Sequence, residues 1–135
     1  MGTTGLMDYA SDLQRYIVSL DEKPILIGHS MGALLAQIIG SRGLAGSLVL
    51  LTPAPPRGIK ALNLSIIKSF WSILKHWGFW RNPLRPSFNE AVYSVLHLLP
   101  ERDQKTVYEK MVYESGRAAA EIGLWIFDPN KTSEV

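Results

Sequence analysis

Apolar and polar positions alternate in blocks along this chain, and each block predicts an element. From Asp8 to Leu20, the residues Tyr9, Leu13, Tyr16, Ile17 and Leu20 recur at spacings of three and four. That spacing places them on one face of a helix, which Asp8 or Ser11 can cap. Asp21-Glu22-Lys23-Pro24 turns the chain. Pro24 to Gly28 is apolar without alternation, the pattern of a short strand buried on both faces of a parallel sheet. Met31 to Ser41 reads as a second helix, with Gly43 placed to close it, and Ser47 to Thr52 as a second buried strand. A helix between two such strands predicts a right-handed parallel crossover.

Pro53-Ala54-Pro55-Pro56 breaks the alternation of strand and helix. Three prolines in four residues make a stiff, non-helical exit. Beyond it the pattern is helical. Gly58 to Trp77 is apolar on most sides and leads through a dense aromatic group, Phe70, Trp71, Trp77, Phe79 and Trp80. Pro83 and Pro86 delimit a loop. Ser87 followed three residues later by Glu90 is a capping box opening a helix to Leu99. Helices over Glu101–Tyr113 and Gly116–Phe127 follow, the last stopped by Asp128-Pro129-Asn130. Residues 131–135 read as a polar tail. The predicted organisation is an α/β segment over 1–55, a helical segment over 56–127 and a tail over 128–135.

Composition narrows the class. A length of 135 residues allows one ordinary domain. A formal charge of +2 points to neither a nucleic-acid partner nor an anionic surface. The chain has no cysteine, which excludes disulfides and thiolate metal sites and leaves a cytoplasmic setting as the default. No signal peptide is visible at the N-terminus. The longest apolar-rich stretch, Ile59 to Trp80, is broken by Lys60, Lys68, Lys75 and His76, which argues against a transmembrane helix.

Gly28-His29-Ser30-Met31-Gly32 carries the chemistry. A Gly-x-Ser-x-Gly turn between a strand and a helix holds its serine in a strained conformation at the helix N-terminus. Gly28 and Gly32 are expected where strand and helix crowd together, and the Met31 amide can point at an oxyanion. The alternative is a glycine-rich turn with a surface serine. With its flanking strands, Asp8 to Pro55 resembles the middle of an α/β-hydrolase of the esterase, lipase and lysophospholipase-like kind. Leu48-Val49-Leu50-Leu51-Thr52-Pro53 resembles the strand after the elbow helix. Pro56 to Val135 resembles the helical cap of many members, and Glu114-Ser115-Gly116-Arg117 a segment late in some bacterial caps.

That resemblance implies a partial α/β-hydrolase fold, with two parallel strands around the elbow followed by a mostly helical cap. It implies a serine ester hydrolase with Ser30 as nucleophile, the Met31 N–H in the oxyanion hole, and no cofactor or metal. The same elbow also serves haloperoxidase, acyl-transfer and carbon–carbon hydrolysis chemistry. Family order is serine, acid, histidine. His29 sits within the elbow and points away from the serine's side of the turn. No Asp or Glu lies between Ser30 and His76. Only Glu90 precedes His97, and seven residues along one helix separate the pair by about 10.5 Å. Residues 1–7 lack the histidine-glycine pattern of the loop that supplies the second oxyanion donor. The chain therefore reads as a fragment covering about half of the family's fold, with Met1 an internal methionine or a misassigned start, and it is expected to be inactive alone. A non-catalytic fragment or helical interaction module is the competing reading.

Within the cap, Trp71, Leu74 and Trp77 are candidates for an apolar substrate pocket. They equally fit packing among cap helices. A surface for a membrane or partner, with Lys60, Lys68 and Lys75 on its polar side, is a third reading. The expected partner is a small-molecule ester. Neither nucleic acid nor a transmembrane segment is expected. Two strands with unpaired edges also predict self-association.

Overall fold

The computed structural model describes residues 2–59 and 75–135. The helix expected over Gly58–Trp77 lies almost wholly outside them, as do Phe70, Trp71 and Leu74. The chain divides into two compact units: Thr4–Lys60 with Ala120–Val135, and Met1–Thr3 with Ala61–Ala119.

In the first of these units, helix α1 spans Leu6–Val18. Its N-cap is Gly5, not Asp8 or Ser11. Asp8 occupies the third helical position and its carboxylate accepts the Gly5 N–H at 2.7 Å, which sets the start two residues early. A second N-terminal donor, the Leu6 N–H, is taken by the Glu121 carboxylate at 2.6 Å. Such partners matter because the first turn of a helix has no carbonyls of its own to bond. The earlier start adds Leu6 to the buried face. Leu6, Ala10 and Ile17 are buried, whereas Tyr16, expected on that face, is 66% exposed.

Strands β1 (Ile25–His29) and β2 (Ser47–Leu51) form a parallel pair in register from Ile25↔Ser47 to His29↔Leu51. Helix α2 (Met31–Ser41) connects them and packs on both, and α1 packs on α2. The core is Leu6, Ala10, Leu34, Leu35 and Ile38, joined by Met31, Ala54 and Ile122. The strands are not buried on both faces. Gly28 is buried against the start of α2, while Ile25 and Ile27, which point to the opposite face, are 67% and 71% exposed. The cause is coverage: among the described residues α2 lies on one face only.

Residues 128–135, read as a polar tail, are tied down by hydrogen bonds. The Asp128 carboxylate accepts the Asn130 N–H at 3.0 Å and the Thr132 N–H and hydroxyl at 2.7 and 2.6 Å. Arg57 donates to the Trp125 and Asp128 carbonyls at 2.8 and 3.0 Å, and its amide donates to the Ser133 carbonyl at 2.9 Å. Trp125 Nε1 returns a bond to the Ile59 carbonyl at 3.2 Å. Thr132 and Ser133 are consequently buried. The segment after the prolines and the chain's last residues thus form one clasp.

In the other unit, short strands β3 (Pro83–Leu84) and β4 (Glu114–Ser115) pair antiparallel. The capping box forms: Ser87 N–H donates to Glu90 at 3.0 Å and Glu90 N–H to Ser87 Oγ at 3.4 Å. The helix it opens, α3, is only Phe88–Ala91 and widens into a π-helical turn over Val92–Leu96. Helix α4 spans Glu101–Glu109, stopping short of Tyr113. Helix α5, Gly116–Gly123, begins in this unit and crosses the division after Ala119, and the 3-10 turn that follows it at Trp125–Phe127 belongs to the first unit. Gly116 is required by space: a Cβ there would lie 2.1 Å from the Phe79 carbonyl oxygen. Among the described residues, no helix is long and apolar enough to cross a membrane.

Two outcomes test this description. Leu34 is fully buried in the core, so Leu34→Ala should cost about 2–5 kcal/mol in chemical denaturation. Asp128 supplies the second. Burial raises its carboxyl, but the Thr132 hydroxyl, the Thr132 and Asn130 amides and the Arg57 charge outweigh burial and hold it below its ordinary value. A depressed folded value gives stability that is full above the unfolded pKa, about 3.9, and is lost as pH falls through the folded one. Asp128→Asn should lower the denaturation midpoint at neutral pH, and the gap from wild type should close progressively below about pH 4.

Candidate active site

β1 ends at His29 and α2 begins at Met31, so the whole change of direction falls on Ser30. Its backbone sits at φ 52° and ψ −120°, the sparsely populated conformation expected from the motif. Conformations of this kind cost about 1–3 kcal/mol and persist only where surrounding bonds over-determine them. Those bonds are present. The Ser30 N–H donates to the Leu51 carbonyl at 3.1 Å. The Ser30 carbonyl accepts from Ala33, Leu34 and Ala54 at 3.1, 3.3 and 2.9 Å.

The two glycines differ. A Cβ on Gly28 would lie 2.4 Å from the Gly32 carbonyl oxygen and 2.6 Å from Ala33 Cα, so only glycine allows the helix to start this close to the strand. A Cβ on Gly32 would meet no atom within 4 Å among the described residues. Crowding therefore accounts for Gly28 and not for Gly32, because position 32 turns away from the contact.

Ser30 is exposed, as is His29. Met31 contributes the first amide of α2, which has no carbonyl of its own helix to bond. The partial positive charge at that helix end favours an anion beside Ser30. Among the described residues Ser30 Oγ makes no hydrogen bond, and none joins it to a histidine. His76 and His97 belong to the other unit. Glu90, the acid before His97, bonds Ser87. Among the described residues no group of three His, Cys, Asp or Glu could hold a metal. Trp71 and Leu74 lie outside the described residues. Trp77 is 93% exposed and meets Trp80 edge-to-face at 5.2 Å.

Thr52, expected as the last residue of the second strand, instead turns the chain beside Ser30. Its φ is 40°, unusual for a β-branched side chain. It follows Leu51, the partner of His29, so the chain turns there beside Ser30 and delivers the Ala54 N–H to the Ser30 carbonyl. In a parallel pair the residue after β2 stands beside the residue after β1.

A sequence model described as the alpha/beta hydrolase family matches residues 1–129. No match was found among curated proteins or among solved structures.

Backbone strain at Ser30 has a thermodynamic signature. Ser30→Gly removes the side chain that makes the conformation costly, offset in part by glycine's greater freedom when unfolded. It should raise stability by about 1 kcal/mol in urea denaturation, whereas Ser30→Ala, which keeps a Cβ, should not.

Proposed function

The chain belongs to the alpha/beta hydrolase family, and from that premise we propose that it is a serine hydrolase acting on carboxylic esters with a hydrophobic acyl or alkyl part. The family supports a hydrolase-type function in general. The observation that carries the finer reading is Ser30: an exposed hydroxyl held at φ 52° beside the free first amide of an eleven-residue helix. In this reading Ser30 Oγ attacks the ester carbonyl carbon and its proton passes to a base. The Met31 N–H holds the oxyanion of the tetrahedral intermediate. Collapse expels the alcohol, which takes the proton, and leaves an acyl group on Ser30. Water then releases the acid. A cytoplasmic setting belongs to the same reading.

The base is the missing participant, because Ser30 Oγ has no hydrogen-bond partner among the described residues. Without one, a serine is a weak nucleophile at neutral pH. Loss of triad members leaves a residual of about 10³–10⁴ over water in hydrolases that keep a full oxyanion hole. The chain alone is therefore proposed to be inactive or nearly so. The competing reading is a non-catalytic fragment or helical interaction module, and the open strand face at Ile25 and Ile27 favours the fragment.

Imidazole supplied in solution separates the two. With p-nitrophenyl octanoate alone, wild type and Ser30→Ala should release p-nitrophenol equally. With imidazole added, wild type alone should form an octanoyl adduct on Ser30, detected by mass spectrometry. No adduct at any imidazole concentration would reject the nucleophile and leave the non-catalytic reading. Ser30-dependent turnover without imidazole would overturn the inactivity and mean that the chain supplies its own base.

A further inference from the structure

The unit that lacks Ser30 contains an open groove of about 510 Å³. His76, Phe79, Arg85, Ser87, Tyr108 and Tyr113 are among the residues that line it, and no carboxylate is among its described lining residues. Arg85 is the notable member. Its guanidinium lies 4.5 Å above the Tyr108 ring, and Nη2 donates to the Tyr108 carbonyl at 2.8 Å. Tyr108 is itself fixed, by a 3.0 Å bond from its hydroxyl to the Pro86 carbonyl and by edge-to-face contact with Phe88 at 5.3 Å. The cation is thus held rigidly on an aromatic floor.

What the cation lacks is a counter-ion. Its Nε is buried without an acceptor, and no ion pair to Arg85 forms among the described residues. Residues 60–74 contain neither Asp nor Glu, so they cannot provide one. Glu90, the acid nearest in sequence, is bound to the Ser87 amide and hydroxyl at 3.0 and 2.7 Å. A partly desolvated guanidinium without a partner is costly, and an incoming anion recovers that cost. Planar guanidinium and carboxylate groups match in geometry.

We propose that this groove binds a small carboxylate with an aromatic or branched apolar body, the carboxylate on Arg85 and the body against Phe79 and Tyr113. The volume is that of a small-molecule site, which ranges over about 300–1,000 Å³. One guanidinium and one imidazole suit a monoanion. A phosphate dianion would need more donors to repay its desolvation. The site is independent of Ser30, so each stands or falls on its own test.

Benzoate is the probe, with benzamide as its neutral isostere and phenyl phosphate as the dianion. Titrated into the full chain by calorimetry, benzoate should bind at least about tenfold more tightly than benzamide and more tightly than phenyl phosphate. In ¹⁵N-labelled protein, benzoate should shift one arginine Nε–H resonance that is missing from Arg85→Lys. Arg85→Lys, which keeps the charge and loses the fork, should weaken benzoate at least about tenfold, and Ser30→Ala should leave it unchanged. Because Arg85 also anchors Tyr108, the wild-type resonance shift holds as a test even if the variant fails to fold. Equal affinity for benzoate and benzamide, or no shift of the Arg85 resonance, would overturn the site. Tighter binding of phenyl phosphate would overturn the carboxylate assignment, and loss of benzoate binding in Ser30→Ala would move the ligand to the other unit.

Discussion

The Ser30 carbonyl oxygen is the point on which the first unit turns. It accepts amides from the first turn of α2 and from the segment after β2. Those bonds fix the helix, the loop and the strand end against one another. They also pin Ser30 in a conformation it would not otherwise hold. The arrangement depends on Gly28, since any Cβ there would enter the backbone of Gly32 and Ala33. A local steric requirement thus decides where the helix starts, and the helix start decides where the serine and the Met31 amide stand.

The same unit is closed by a second polar device. Arg57 bonds two carbonyls near position 125, and Asp128 gathers the amides that follow it. Both side chains act on backbone groups that would otherwise be left unpaired in a segment too irregular for a helix or a sheet. Arg57 is also 5.4 Å from the Trp125 ring centre, so charge, hydrogen bonding and aromatic contact converge on one side chain. The clasp holds the residues after the prolines without any regular secondary structure.

Membership of the alpha/beta hydrolase family gives these features a common meaning. The strained Ser30 and the first amide of α2 stand together at one helix N-terminus. The helix end and the exposed hydroxyl are properties of the first unit alone. Arg85 is an analogous case in the other unit: a charge positioned by aromatic stacking and left without a counter-ion among the described residues.

What the sequence determined by itself was local. The Gly28–Gly32 motif, the strands around it and the Ser87–Glu90 capping box each depend on residues a few positions apart, whereas the strained Ser30 that the motif predicts is also held by Leu51 and Ala54, more than 20 residues away. Tertiary structure decided everything set by distant partners. Asp8 and Glu121 set the start of α1 at Leu6, which is buried, while Tyr16 is left exposed. One-sided coverage by α2 left Ile25 and Ile27 open, although their apolar run reads as fully buried. Arg57 reached 71 residues along the chain to hold a segment that the sequence shows only as a polar tail. Arg85 met Tyr108 across 23 residues. Periodicity records which face of an element is apolar, but only the packed chain establishes what covers it, and long polar side chains take partners that no spacing encodes.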